Sequence, residues 1–317
     1  MSQGVIRRCS RRWARRVCWS CWKPDVTAAT SIRVFHPADT LSSRAKDAGR
    51  SDHVHARRRL GYGVSGPCAP GHDLVWADEF DRDGAPDASK WTYDTHANRG
   101  GWYNNEAQYY SADRLENARV EDGVLVIEAR RERMEPTPAD WGGQDYTSAR
   151  LISTAGWRGG FVETRAKLPC GRGSWPAIWM LPQSPSGWPI GGEIDIMEHV
   201  GHRPGVVHAS IHTQAYNHVR GTQSTATTQV ADACDAFHLY QVRWTADEIV
   251  FLIDDAPIHR FANDGRGDPE TWPFDKPFHL ILNIAVGGDW GGEEGVDDAA
   301  FPQRMEVDYV RVYRPAD

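Results

Sequence analysis

The sequence predicts an all-β body, an antiparallel sandwich or barrel forming one domain, behind a basic leader of different texture. Three observations carry this. From residue 72 onward the chain breaks into short runs rich in β-branched and aromatic residues, bounded by Gly, Pro, Asn or Asp. No long stretch repeats its apolar residues at helical spacing. No segment recurs at a fixed period, which argues against a propeller.

Taken in chain order, "GVLVIEAR" (123–130) alternates so that Leu125, Ile127 and Ala129 share one face. "GFVETRAKLP" (160–169) places Val162, Thr164, Ala166 and Leu168 on one face, and Phe161, Glu163, Arg165 and Lys167 on the other. "FHLYQVRW" (237–244), "EIVFLIDD" (248–255), "FHLILNIAVGG" (278–288) and "RMEVDYVRVYR" (304–314) continue the series. Many short strands within one stretch of this length argue for packed antiparallel sheets.

Residues 1–70 and 71–317 differ in composition. The first sixty residues hold fourteen Arg or Lys against four Asp, a net of +10, which leaves −17 for the rest of a chain whose total is −7. An acidic body argues against a nucleic-acid partner and suits an uncharged substrate. No apolar run approaches the roughly 20 residues of a membrane-spanning helix, so no membrane partner is expected. The leader has paired arginines but lacks the apolar core of an export signal. It reads either as a disordered extension or as sequence upstream of the mature start. "CWSC" (18–21) has no second cysteine or histidine pair at metal-binding spacing. Cys170 and Cys234 read either as a disulfide or as two separate buried thiols.

The chemistry concentrates in "GGEIDIMEHVG" (191–201), where Glu193, Asp195 and Glu198 interrupt an otherwise apolar strand. Side chains repeat every two residues, so Glu193 and Asp195 share a face while strict alternation turns Glu198 away. One extra residue in a β-bulge near Ile196–Met197 restores the register and lines up all three carboxylates. Glu193 and Glu198 then have Cα atoms roughly 13 Å apart. Side chains leaning inward narrow this toward the ~5–5.5 Å carboxyl separation of a retaining glycosidase. Three adjacent acids repel, so at least one pKa must rise, and a glycosidase needs one carboxylate ionised and one carboxylic acid protonated. The competing readings are a calcium site and a solvated strand face. Calcium favours flexible loops with backbone carbonyls, and a solvated face needs no aromatic frame.

That frame is present. "GRGSWPAIWMLPQSPSGWP" (171–189) precedes the acids, with Trp175 and Trp179 four apart on one strand and Trp188 at the end of the connecting loop. Sugar rings pack their C–H faces on indoles while the indole N–H stays available to a hydroxyl. Fourteen Trp in the chain exceed what one cleft uses, so about half are assigned to the core.

These segments together resemble glycoside hydrolase family 16, on its laminarinase (endo-β-1,3-glucanase) branch. The similarity continues in "VWADEFD" (75–81), "WYNNEAQYY" (102–110), "TSARLIST" (147–154), "HLYQVRW" (238–244), "LILNIAVGGDWGG" (280–292) and "VDYVRVYR" (307–314), covering nearly all of residues 72–315 in order. The resemblance implies a concanavalin-like β-jelly-roll sandwich of two curved antiparallel sheets with a cleft on the concave face. It implies retaining endo-hydrolysis of β-1,3-glucan, with Glu193 as nucleophile, Glu198 as general acid/base and Asp195 assisting between them. It implies sugar contacts from Asn105 and Arg150 on the non-reducing side, from Trp175 and Trp179 near the cleavage point, and from Trp290 at the rim, with His212 close to the acids. No catalytic cofactor is implied. A structural calcium is implied at Glu79, Gly123 and Asp308, partly through backbone oxygens. A secreted monomer acting on β-glucan polysaccharide is expected. Ala107 departs from the family, which more often has a larger apolar residue there. The alternatives are a mixed-linkage β-1,3-1,4-glucanase, a transglycosylase using the same site, and a non-catalytic β-glucan-binding protein. Retention of all three acids argues against the last.

Overall fold

The computed structural model describes residues 71–184 and 186–316; the expectations for the leader lie outside the described residues. Seventeen strands make up the body among these residues. They begin with β1 (His72–Asp78), β2 (Trp91–Tyr93), β3 (Gln108–Tyr110), β4 (Ala118–Glu121), β5 (Val124–Arg131) and β6 (Tyr146–Ser148). The middle of the chain forms β7 (Arg150–Ser153), β8 (Gly160–Lys167), β9 (Ser174–Pro182), β10 (Glu193–His199), β11 (Val206–His212) and β12 (Ser224–Gln229). The last five are β13 (His238–Trp244), β14 (Glu248–Ile253), β15 (Ala256–Ala262), β16 (Phe278–Val286) and β17 (Gln303–Pro315). The one α-helical turn among them, α1, spans Gly288–Gly291, as the missing helical periodicity predicted. No described helix is long and apolar enough to cross a membrane.

The strands form two sheets. One has ten strands, ordered β15-β14-β13-β8-β17-β5-β6-β3, with β1 added on β17 and β4 on β5. The other has seven, ordered β12-β11-β10-β9-β16-β7-β2. All pairings are antiparallel except β3 with β6. This is the sandwich that the alternating runs imply. Leu125, Ile127, Val162 and Ala166 from the ten-stranded sheet meet Ile178, Met180, Ile194, Ile196, Leu280 and Leu282 from the seven-stranded sheet in one buried cluster. Each large aliphatic residue removed from water there contributes about 1.5–3 kcal/mol against the entropy of ordering the chain.

Alternation alone would leave Glu163 and Glu128 open to water on the far face of the ten-stranded sheet. Both are buried. Glu163 accepts hydrogen bonds from Tyr309 Oη (2.9 Å) and Gln241 Nε2 (2.8 Å). Glu128 is neutralised by Arg119, Arg130 and Arg304. Long neighbouring side chains cover these carboxylates, an effect that period-2 reasoning does not contain.

Cys170 and Cys234 are joined in a disulfide, with Cα atoms 5.9 Å apart and a sequence separation of 64. The bridge ties the end of β8 to the approach to β13. Closing a loop of that length in the unfolded chain is worth about 4 kcal/mol on the chain-entropy account.

Candidate active site

The seven-stranded sheet holds the predicted acids near its middle, on β10. The bulge falls where spacing required it. Asp195 pairs with Trp179 and Met197 with Ile178 on β9, so Ile196 is the extra residue. On the other side, Asp195 faces Ser210 and Glu198 faces His208 on β11. Ile196 and Met197 are both buried in the core. This satisfies two adjacent apolar side chains and returns Glu198 to the face of Glu193 and Asp195.

Neighbouring strands supply the same face by register. On β9 it presents Trp175 and Trp179, as predicted. Trp175 Nε1 donates to Glu198 Oε1 at 3.1 Å, and Trp179 Nε1 donates to Asn283 Oδ1 at 2.7 Å. Asn283 Nδ2 in turn donates to Tyr110 Oη at 2.9 Å, which locks the Trp179 plane. Arg150 on β7 stands opposite Asn283 on β16. Its guanidinium lies over Trp179 (4.7 Å) and Trp102 (5.1 Å) and pairs with Asp94 at 3.0 Å. Asp94, Trp102, Tyr110 and Asn283 were not singled out from sequence. An Asn inside the apolar run "LILNIAV" was a readable signal for Asn283, whereas Asp94 lies in an ordinary polar loop.

Two loops build the rim on this side. Asn104 and Asn105 both adopt left-handed backbone conformations, a region Asn tolerates better than most residues. Asn105 Nδ2 donates to Asp289 Oδ1 at 2.7 Å, so the predicted sugar-binding amide is tied to the turn that carries Trp290. Gly288 permits this approach, since a Cβ there would meet Asn104 O at 2.8 Å. Trp290 packs edge-on against Trp175 at 5.2 Å and against His208 at 4.8 Å. The structure therefore gathers Asn105, Arg150, Trp175, Trp179, His212 and Trp290 around the three acids.

His212 lies beside the acids, with Nε2 3.3 Å from Asp195 Oδ2 and 3.8 Å from Glu193 Oε1. Burial raises the pKa of Glu193 well above the ordinary carboxylate range, the Asp195 charge adds to this, and His212 opposes it. Burial likewise raises Asp195. Glu198 is pushed up to about 8, mainly by burial and then by the Asp195 charge, against the lowering effects of His212 and the Trp175 hydrogen bond. Each ionisation makes the next costlier, so the triad holds fewer than three charges at neutral pH. Glu198 keeps its proton there. Glu193 and Asp195 lie beside the imidazole of His212.

The causes of the Glu198 shift give opposite predictions for two variants. Asp195→Asn removes a charge that raises Glu198, so the alkaline limb of kcat/KM is expected to move to lower pH. Trp175→Phe removes a donor that stabilises the carboxylate, so that limb is expected to move to higher pH. A pH–rate series on both variants checks the pair, and shifts of the same sign would contradict this electrostatic account.

Glu193, Asp195 and His212 offer three ligand atoms within 4.8 Å of one another, but an acid pair beside an imidazole accounts for them without a metal. Cys170, His199 and Cys234 also cluster, with both sulfurs committed to the disulfide. At the expected calcium position, the register brings the end of β1 and the start of β5 to the same edge of β17. Glu79, however, is engaged by Arg311 through two contacts at 2.7 and 2.8 Å, and Asp308 by Arg165 at 2.6 Å. Those side chains do not fit a calcium ion as they stand. No step of the chemistry runs through this place.

Comparison with known proteins agrees with the geometry. A beta-glucanase of Rhodothermus marinus is 54% identical over 256 residues, covering 78% of this chain and 86% of that protein. The solved laminarinase of Rhodothermus marinus has 52% identity and a TM-score of 0.72, over 78% of this chain and 98% of that one. A mutant of SCLam, a non-specific endo-β-1,3(4)-glucanase solved with a 1,3-β-D-cellobiosyl-glucose at its active site, has 55% identity and a TM-score of 0.76. That match covers 78% of this chain and 96% of the other. Residues 105–311 match the glycosyl hydrolases family 16 profile, so the two-sheet jelly roll with three acids on a bulged strand belongs to glycosyl hydrolases family 16.

Proposed function

We propose that this chain is a retaining endo-β-1,3-glucanase, with Glu193 as nucleophile, Glu198 as general acid/base and Asp195 as the carboxyl that partitions the charge between them. The observation that carries the reading is the bulge. It places all three carboxyls on one face of β10, with Glu198 protonated under the Trp175 N–H at neutral pH. In the first step Glu193 attacks the anomeric carbon while Glu198 gives its proton to the departing sugar oxygen. In the second, Glu198 takes a proton from water, which attacks the same carbon and frees Glu193. The arm of the face bearing Arg150, Asn283 and Trp179 takes the sugars on the non-reducing side of the bond. These residues bind and orient the donor portion of the chain, and no cofactor is needed. The monomer is the working unit, and a polymeric substrate places it outside the cell.

A second substrate, mixed-linkage β-1,3-1,4-glucan, is favoured by the similarity to a non-specific endo-β-1,3(4)-glucanase. The deciding experiment is product analysis on linear β-1,3-glucan and on mixed-linkage glucan, with the anomeric configuration followed by NMR. Early β-anomer from the β-1,3 polymer is expected, with slower cleavage of the mixed polymer. Early α-anomer would remove the double-displacement mechanism. Binding without cleavage would make the chain a recognition protein.

A further inference from the structure

Trp179 is locked in its plane through Asn283 and Tyr110, whereas the Trp175 N–H is spent on Glu198. The plane of Trp175, and with it the direction of that bond, is therefore set by packing. The turn after β16 supplies it. Trp290 meets Trp175 edge-on at 5.2 Å, and a Cβ on Gly291 would stand 3.0 Å from the Trp175 Cβ. Yet "GGDWGGEEG" (287–295) holds five glycines, and glycine loses more backbone freedom on ordering than any other residue. Such a run needs ties to its surroundings.

Two side chains provide them away from the acids. Arg172, in the connection between β8 and β9, donates from Nη1 to the Glu294 carbonyl at 2.7 Å. Its own carbonyl accepts from Asp297 N at 3.1 Å, and the Gly173 carbonyl accepts from Gly287 N at 2.8 Å, so both ends of the run rest on residues 172–173. That connection is fixed in turn by the Cys170–Cys234 disulfide and by Gly171 N donating to Gln303 Oε1 at 2.7 Å. His202, in the turn between β10 and β11, is the second tie. Its side chain is 1% exposed and its Nε2 stands 3.6 Å from Glu293 Oε2, while neither ring nitrogen has a hydrogen-bond partner. A buried polar ring without a bond is costly, and the Glu293 carboxylate is the compensation this place offers.

We propose that Arg172 and His202 are positioning residues, which seat the glycine-rich turn so that Trp290 wedges Trp175 and keeps its N–H on the Glu198 carboxyl. The catalytic consequence rests on the assignment of Glu198 as acid/base made above. Burial acts most on the Glu198 proton, followed by Asp195, His212, the Trp175 bond and Glu106. His208 stands opposite Glu198 in register and carries the other side of Trp290. Arg172 and His202 act on the proton through the turn. With the turn unseated, Trp175 is free to leave Glu198, and the carboxyl holds its proton to higher pH.

The test reads the Glu198 titration directly, by carboxyl ¹³C NMR of glutamate-labelled protein, with Glu198→Gln identifying the resonance. Arg172 and Glu293 are exposed, so Arg172→Ala and Glu293→Ala should fold. In each the midpoint is expected to rise by about half a pH unit, part of the worth of a hydrogen bond to a charged group. The alkaline limb of kcat/KM should move with it. Glu293→Ala supplies a test of sign. Removing a negative charge by itself eases ionisation and lowers the midpoint, so a rise comes through the turn. His202→Gln, whose amide can donate to Glu293, should stay closer to the wild type than His202→Ala. In a Trp175→Phe background, where the donor is gone, none of these substitutions should add a shift. Unmoved midpoints, a fall in Glu293→Ala, or shifts that persist at full size without the Trp175 donor each overturn the seat. The expected shifts in a protein that leaves β-1,3-glucan uncut would uphold the seat and overturn the hydrolase activity instead.

Discussion

Glu193→Gln is expected to lower kcat/KM on β-1,3-glucan by at least roughly 10⁴-fold while leaving the fold intact. The argument starts from the amide. It matches the carboxyl in shape, so the bulged strand and its packing are unchanged, but it cannot form the covalent ester to the sugar. It also cannot carry the negative charge that faces the developing positive charge at the anomeric carbon. Glu193 lies at the start of β10, opposite His212 in register, with the His212 Nε2 3.8 Å from its carboxyl. Removing the charge therefore leaves His212 with Asp195 alone. Glucan binding should survive, since Arg150, Trp179 and Asn283 hold one another independently of Glu193. The check is steady-state kinetics with affinity electrophoresis in the same polymer. Near-full hydrolysis by the variant would end the assignment of Glu193, and loss of binding along with hydrolysis would show the substitution acting through structure.

Much of this site was legible because the physics is local. The bulge followed from the two-residue repeat and the impossibility of leaving Glu198 in the core beside Ile196 and Met197. The shared face of Trp175 and Trp179 followed from their even spacing. The order of strands did not follow, because antiparallel pairing between distant segments is decided by packing that no short window contains. Thus Arg150 and Asn283, 133 positions apart in sequence, face each other only because β7 pairs with β16. The Cys170–Cys234 bridge stayed open for the same reason, and the structure closes it. Asn105 was named from the motif, but its hydrogen bond to Asp289 depends on two loops meeting over Gly288. Glu163 and Glu128 show the opposite failure. Alternation named their face correctly, but the arginine, tyrosine and glutamine side chains that bury them are a matter of cross-strand neighbours.

Glu198 should separate chemistry from structure more sharply than any other position. Glu198→Ala is expected to lose about 10³–10⁴-fold in kcat/KM on the polymer, the range of a positioned general acid. It should lose far less in the first step on an aryl glycoside, whose leaving group needs no proton. The glycosyl-enzyme on Glu193 would then accumulate, because water lacks its general base. Azide needs no deprotonation, so it should restore turnover and yield a β-glycosyl azide. An α-azide would contradict the covalent intermediate, and absence of rescue would remove Glu198 from the acid/base role. The same carboxyl makes a stability prediction through Glu198→Gln. In the folded protein it holds its proton up to about 8, whereas its ordinary value is 4.5. Between those values the unfolded chain releases the proton and the folded chain does not, so rising pH favours unfolding. Gln carries no such linkage. The variant should therefore match the wild type near pH 4 and exceed it near pH 8 by about 1–3 kcal/mol, discounted because the side chain is partly open to the cleft. Denaturant unfolding at the two pH values measures the difference. A gap that shrinks as pH rises would mean that the Glu198 carboxyl is not held neutral by burial, and the acid in the proposed mechanism would have to be sought elsewhere.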